Sequence, residues 1–151
     1  MMRRAWRTLW RQRTAVGVVD FALISGPLFM LVFGTVEFGR LLWAREALQM
    51  TATEGARCIG VLASSCSSNG AYSATNAQSY IEGVASSWGI TLTTANMTLT
   101  ANATSGACSG MMTNVAEVTL NYTFQTAVPG LLTFMSGGNA LTGHACFSKQ
   151  S

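Results

Sequence analysis

The chain has 151 residues, of which 49% are hydrophobic and 10% charged, and its formal net charge is +3. This composition argues against an intrinsically disordered chain, which combines low hydrophobicity with high net charge. It also argues against a nucleic-acid-binding protein, because the positive charge is clustered at one end and forms no basic face. Five of the nine basic residues lie in the first 13 positions: Arg3, Arg4, Arg7, Arg11 and Arg13.

An apolar stretch from Ala15 to Val36 follows the arginines, and its only clearly polar residues are Asp20, Ser25 and Thr35. At about 1.5 Å per residue a helix of this length reaches about 33 Å, enough to cross a hydrocarbon core of about 30 Å. We interpret it as a transmembrane helix. The positive-inside rule then places the arginine cluster in the cytoplasm and the rest of the chain on the outer side.

A cleaved secretory signal is the competing interpretation, because it also combines a basic start with an apolar core. The apolar run is longer than a signal core, and no A-x-A-like site follows it. Both features favour a membrane span that stays in the protein.

The cysteines Cys58, Cys66, Cys108 and Cys146 all follow the span, where disulfides are permitted. Four cysteines allow three pairings. We favour Cys58 with Cys66, which closes a short loop, and Cys108 with Cys146, which ties the end of the chain down. A zinc site is the alternative, but there is no C-x-x-C, and His144, two residues from Cys146, gives a poor ligand pattern.

Beyond the span, apolar residues recur at three and four positions, which predicts one helix from about Val16 to about Ala63. Pro27 inside the span predicts a bend. Glu37 and Arg40 are three apart, and we expect Glu37 to be a solvated carboxylate at the membrane surface that pairs with Arg40.

The remainder of the chain changes period. A loop rich in Ser, Gly and Asn is expected at Ala63–Ala74, and a second helix at Thr75–Trp88, whose apolar stripe ends on Trp88. After Gly89 the hydrophobic residues alternate, which predicts at least three antiparallel strands with one wet face rich in Thr and Asn. The expected fold class is α+β, with a long N-terminal transmembrane helix and a small disulfide-bonded domain carrying an antiparallel sheet. The expected divisions are a basic leader (1–15), the helix (16–63) and an extracytoplasmic domain (64–151).

Four blocks in this order resemble the TadE-like family of tight-adherence (Tad/Flp) pilus assembly. They are V-D-F-A-L-I at Val19–Ile24, Pro27, F-G-T-V-E-F-G-R at Phe33–Arg40, and T-E-G-A-R at Thr53–Arg57. The resemblance is specific from about Ala15 to Arg57 and general afterwards. It implies a type IV pilin-like precursor in a bacterial inner membrane, whose partners are other pilin-like subunits, pilus assembly proteins and a prepilin peptidase.

The resemblance also implies a cut before the span. In the family the acid is the fifth residue of the mature chain, so counting back from Asp20 places the cut between Ala15 and Val16. Alanine stands here where the family usually has glycine, and aspartate where it usually has glutamate.

Asp20 has two readings. An acid inside a span is costly and is by default a functional candidate with a partner. The resemblance implies that this partner is the new amine on Val16 of a neighbouring subunit. The alternative is that Asp20, one turn inside the span, reaches the headgroups or pairs with Arg13.

The sequence also bears on two other function classes. An enzyme has no support, because the chain has one histidine and no G-x-S-x-G, P-loop or H-E-x-x-H motif. We therefore expect no catalytic residue, cofactor or metal ligand. A single-pass membrane-anchored adhesin or binding module, unrelated to pilus assembly, stays open as the alternative to a minor pilin or pseudopilin.

Overall fold

The computed structural model describes residues 2–104, 107–108, 114–126 and 139–149, with side chains from residue 17 onward. Contacts divide the chain into two units, residues 1–39 and residues 40–151. The first unit is a single helix, and the second is an α+β domain, as the sequence predicts.

Helix α1 runs from Met2 to Gly60 and passes through both units. It begins well before the expected Val16, because neither glycine nor proline occurs between Met2 and Val16 to stop it. Pro27 lies inside the helix, and the bend expected there stays a prediction.

The end of α1 is closed by two backbone hydrogen bonds. The N–H of Ala63 donates to the carbonyl of Cys58 at 3.1 Å, and the N–H of Leu62 donates to that of Ile59 at 3.2 Å. This is the Schellman pattern, which needs a left-handed residue after the helix, and Leu62 has φ 51°. The helix therefore ends three residues before the expected Ala63.

The part of α1 that belongs to the domain is amphipathic. Its buried stripe contains Leu41, Ala44, Leu48, Ala52, Ala56 and Ile59. Glu37 is only 5% exposed, so the expected solvated carboxylate is wrong. Glu37 belongs to the first unit and lies four residues before Leu41 along α1.

The expected loop after α1 contains a small hairpin. Strands β1 (Ser67–Ser68) and β2 (Ala71–Tyr72) pair antiparallel around Asn69 and Gly70. Both turn residues have positive φ, 52° and 77°. Asn-Gly is the favoured pair for such two-residue turns, so the signal was present in the sequence.

Helix α2 spans Ala74–Ser87, within one residue of the expectation at each end. It buries Ala77, Ile81 and Ala85. Trp88 is 40% exposed and does not continue the buried stripe as expected. It is the C-cap residue, with φ −91° and ψ 1°, so the helical spacing ends before it. Its ring meets Trp43 edge to face, with centroids 5.7 Å apart.

Strands β3 (Met97–Ala103), β4 (Val115–Thr123) and β5 (Ala140–Ser148) form an antiparallel sheet in the order β3-β4-β5. The expected alternation holds: Val118, Leu120 and Phe124 are buried, whereas Asn121 and Thr123 are exposed. The inner face of the sheet belongs to the same core as the buried stripe of α1.

Helix α1 packs closely against α2 at Gly55 and against β5 at Gly143. A Cβ added to Gly55 would lie 2.8 Å from Cδ1 of Ile81, and one added to Gly143 would lie 2.7 Å from the backbone oxygen of Leu48. Beside the second contact, the amide of Gln49 donates to the carbonyl of His144 at 2.7 Å and accepts from its N–H at 3.2 Å. The Gln49 side chain thus satisfies the backbone N–H and carbonyl of one residue on the outer edge of β5.

Candidate functional site

The first unit presents an apolar surface to its surroundings. Large side chains along Val18–Phe38 are 43–78% exposed, among them Phe21 at 72% and Met30 at 78%. The most apolar 18-residue window has a mean hydropathy of 1.9 and none of it is buried. A soluble monomer does not leave so much apolar surface in water, so lipid or protein must cover it. By length and composition, α1 is able to cross a membrane.

Two of the three polar residues between Ala15 and Val36 are satisfied by their own helix. The Ser25 hydroxyl donates to the carbonyl of Ala22 at 3.2 Å, and the Thr35 hydroxyl donates to that of Val32 at 2.8 Å. Within a helix, a Ser or Thr hydroxyl is able to donate to the backbone carbonyl three or four residues earlier, so it needs no partner outside its own helix.

Asp20 differs from these hydroxyls. An aspartate side chain accepts hydrogen bonds through its oxygens, and the N–H groups around it inside a helix are already used by carbonyls. The side chain is exposed, and one turn further along the helix lie Leu23 and Ile24, 68% and 69% exposed. The carboxylate therefore stands in an apolar surface, with no compensation from its own backbone.

Ala15 and Val16, between which the cut is expected, lie within the backbone of α1. Their side chains are outside the part of the chain whose side chains the structure describes. The cut stays a prediction.

Both disulfides join the cysteines that the sequence analysis favoured. The Cys58–Cys66 bond connects the last turn of α1 to the residue before β1, and the Cys108–Cys146 bond connects the segment between β3 and β4 to β5. Cys58, Cys66 and Cys108 are buried, and Cys146 is partly buried. Neither bond lies in the first unit, so both stabilise the domain.

One polar contact was not foreseen. Nε2 of His144 lies 3.0 Å from Oε1 of Glu117, on the neighbouring strand. The sequence analysis considered His144 only as a poor zinc ligand and gave Glu117 no role. The sequence signal for a cluster on this face of the sheet was the spacing of His144 and Cys146, because residues two apart in a strand project to the same face.

Comparison with known proteins decides which part of the chain is recognisable. Residues 15–57 match the TadE-like protein family. All the sequence blocks of the resemblance lie inside this range, so the resemblance to that family is confirmed. No curated protein and no solved structure matches the chain.

The TadE-like match has limits along the chain. It covers the exposed apolar part of α1, Asp20 and most of the buried stripe, and ends one residue before Cys58. The family points to a component associated with Tad pilus assembly, and it is a structural or assembly family not known for enzymatic activity. The sheet and the Cys108–Cys146 bond lie outside the matched range.

Proposed function

We propose that the protein is a minor pilin or pseudopilin of a Tad-type pilus assembly system. The apolar part of α1 anchors it in the inner membrane, with the N-terminus in the cytoplasm and the domain outside. Its work is association with other subunits, without turnover of a substrate. The observation that carries the proposal is the exposed apolar surface inside the TadE-like range, interrupted by one carboxylate.

The surface suits two successive environments. Lipid covers it while the protein waits in the membrane, and the helices of other subunits cover it after assembly. Both environments are apolar, so the same side chains serve in each. A helix that only anchored a soluble domain would not need a carboxylate within the apolar stretch.

Asp20 gives the association its specificity in this proposal. A carboxylate at the centre of a span costs about 2.5–3.5 kcal/mol on insertion scales, and a paired cation offsets that cost. Removal of the leader after Ala15 would create a new amine on Val16, and this amine of one subunit pairs with Asp20 of the next. Because removing one partner strands the other charge in low dielectric, losing Asp20 disfavours assembly strongly.

Mass spectrometry of the protein from cells with and without prepilin peptidase tests the cut. With the peptidase the chain should begin at Val16, and without it the full precursor should persist. Ala15→Leu should leave the precursor uncut, because the residue before the cut must be small, whereas Ala15→Gly should be cut at least as well.

Copurification with pilus subunits tests the acid. Asp20→Ala should still be cut before Val16 but lose its partners, and Asp20→Glu should keep them. Ser25→Ala is the matched control, because the Ser25 hydroxyl bonds only its own helix and should be dispensable. A mature chain that starts elsewhere, or normal pili with Asp20→Ala, would contradict the proposed roles. An uncut protein that copurifies with no pilus component would favour the membrane-anchored binding module.

A further inference from the structure

Four side chains with metal-binding atoms converge on the outer face of the sheet, the face opposite Val118 and Leu120. Glu117 lies on β4, His144 and Cys146 on β5, and Cys108 reaches them from the segment between β3 and β4. The register pairs Glu117 with Cys146. The ligand atoms of Cys108, His144 and Cys146 lie within 4.8 Å of one another, and the Glu117 carboxylate touches the same imidazole.

We propose that the dithiol form of this protein, with the Cys108–Cys146 bond reduced, binds one zinc-class divalent ion. The ligands are the thiolates of Cys108 and Cys146, Nε2 of His144 and the carboxylate of Glu117. Zinc prefers four ligands of these types in a tetrahedral arrangement. The disulfide and the metal are therefore alternative occupants of one position.

The observed distances fit this coordination. With Zn–S bonds of about 2.3 Å and Zn–N bonds of about 2.0–2.1 Å, tetrahedral S and N ligands are about 3.6 Å apart, and N and O ligands about 3.3 Å. Sγ of Cys108 lies 3.6 Å from Nε2 of His144, and that nitrogen lies 3.0 Å from Oε1 of Glu117. Two thiolates on one zinc are about 3.8 Å apart, so the two sulfurs must separate. The Glu117 carboxylate must also move towards them, because it is not among the ligand atoms that lie within 4.8 Å of one another.

The backbone of His144 is held in position independently of the disulfide. Gln49 on α1 bonds both the N–H and the carbonyl of His144. The His144 side chain is 32% exposed and that of Glu117 15%, so an ion is able to enter from solvent. These features supply the orientation and access that a metal site requires.

A small-molecule dithiol is the reductant that opens the Cys108–Cys146 bond. The dithiol transfers two electrons and two protons to the Cys108–Cys146 bond, which breaks, and is itself oxidised to a disulfide. The entering ion displaces the two thiol protons, which pass to solvent. A small-molecule disulfide is the oxidant for the reverse step: it takes two electrons from the thiolates and two protons from solvent to become two thiols, the Cys108–Cys146 bond re-forms and the ion is released.

Cobalt binding tests the site directly. The full-length protein in detergent micelles is reduced with dithiothreitol, desalted without oxygen and titrated with Co²⁺, whose thiolate complexes absorb light. We expect one Co²⁺ per reduced chain, displaced by Zn²⁺, and no such absorption from the oxidised chain. His144→Ala and Cys108→Ser should each weaken binding by at least about tenfold, since even the loss of an outer-shell partner does so.

Matched controls distinguish metal binding at this site from binding by the other cysteine pair and from nonspecific binding by acidic side chains. Cys58→Ser and Glu82→Gln should leave the cobalt affinity unchanged, because neither residue belongs to the cluster. In the reduced chain, Zn²⁺ should slow the alkylation of Cys108 and Cys146 and leave the alkylation rates of Cys58 and Cys66 unchanged. Absence of cobalt–thiolate absorption from the reduced chain overturns the proposal whether or not that chain is folded, because a bound metal stabilises the folded form. Unchanged binding in His144→Ala, or equal protection of all four cysteines, overturns it as well.

Discussion

Replacing Gly143 by alanine tests the close packing of β5 on α1. The added Cβ would lie 2.7 Å from the backbone oxygen of Leu48 and 2.9 Å from its carbonyl carbon. These are backbone atoms of a helix, so no side-chain rotation relieves the overlap. The strand must move away from α1, and the neighbouring His144 moves with it.

The cost has two parts. Overpacking a well-packed contact costs about 1–3 kcal/mol. Movement of His144 also weakens its two hydrogen bonds with Gln49, each worth about 1 kcal/mol. We therefore expect Gly143→Ala to lower the free energy of unfolding of the domain by about 2–5 kcal/mol.

Pulse proteolysis of the full-length protein in detergent micelles and increasing urea measures this change. Gly83→Ala is the control, because a Cβ at Gly83 in α2 meets nothing within 4 Å, and alanine in a helix should stabilise by about 0.5–1 kcal/mol. Gln49→Ala isolates the hydrogen-bond share. If Gly143→Ala unfolds at the same urea concentration as the wild type, the contact between β5 and α1 does not constrain the domain as described.

Three further measurements follow from the sequence and structure. A reporter fused after Ser151 should be active only if it requires export, because the arginines precede the apolar stretch; activity in the cytoplasm would reverse the orientation. In the chain-entropy model, Cys108→Ser should destabilise the domain by about 4 kcal/mol and Cys66→Ser by about 2.5 kcal/mol, because the two bonds span 38 and 8 residues. Alkylation of Cys58 in the Cys108→Ser variant would show that the cysteines are paired differently. Burial raises the pKa of the Tyr72 hydroxyl, so the unfolded chain loses that proton first and the stability of the domain should fall as the pH rises above about 10. Tyr72→Phe should remove this part of the pH dependence of thermal unfolding, and an unchanged pH dependence in that variant would contradict the prediction.

Local and periodic signals determined much of the fold from the sequence alone. The apolar stretch before Val36, the stripe of α1, the position of α2 and the alternation along β4 each depend on neighbours a few residues away. The same holds for the family blocks, which all lie between Ala15 and Arg57. The Asn69–Gly70 hairpin belongs with these features, because its turn signal is local even though the loop expectation passed over it.

Only the tertiary structure decided which distant residues meet. His144 is 27 residues from Glu117 and 36 from Cys108, and its contacts depend on the register of β4 and β5. Gln49 and His144 are 95 residues apart, and their bonds require α1 to lie along the outer edge of β5. No periodicity encodes such a placement, because it results from packing a helix on a sheet. The sequence therefore determined the membrane-type helix and its acid, whereas the cluster around His144 arises from tertiary contacts.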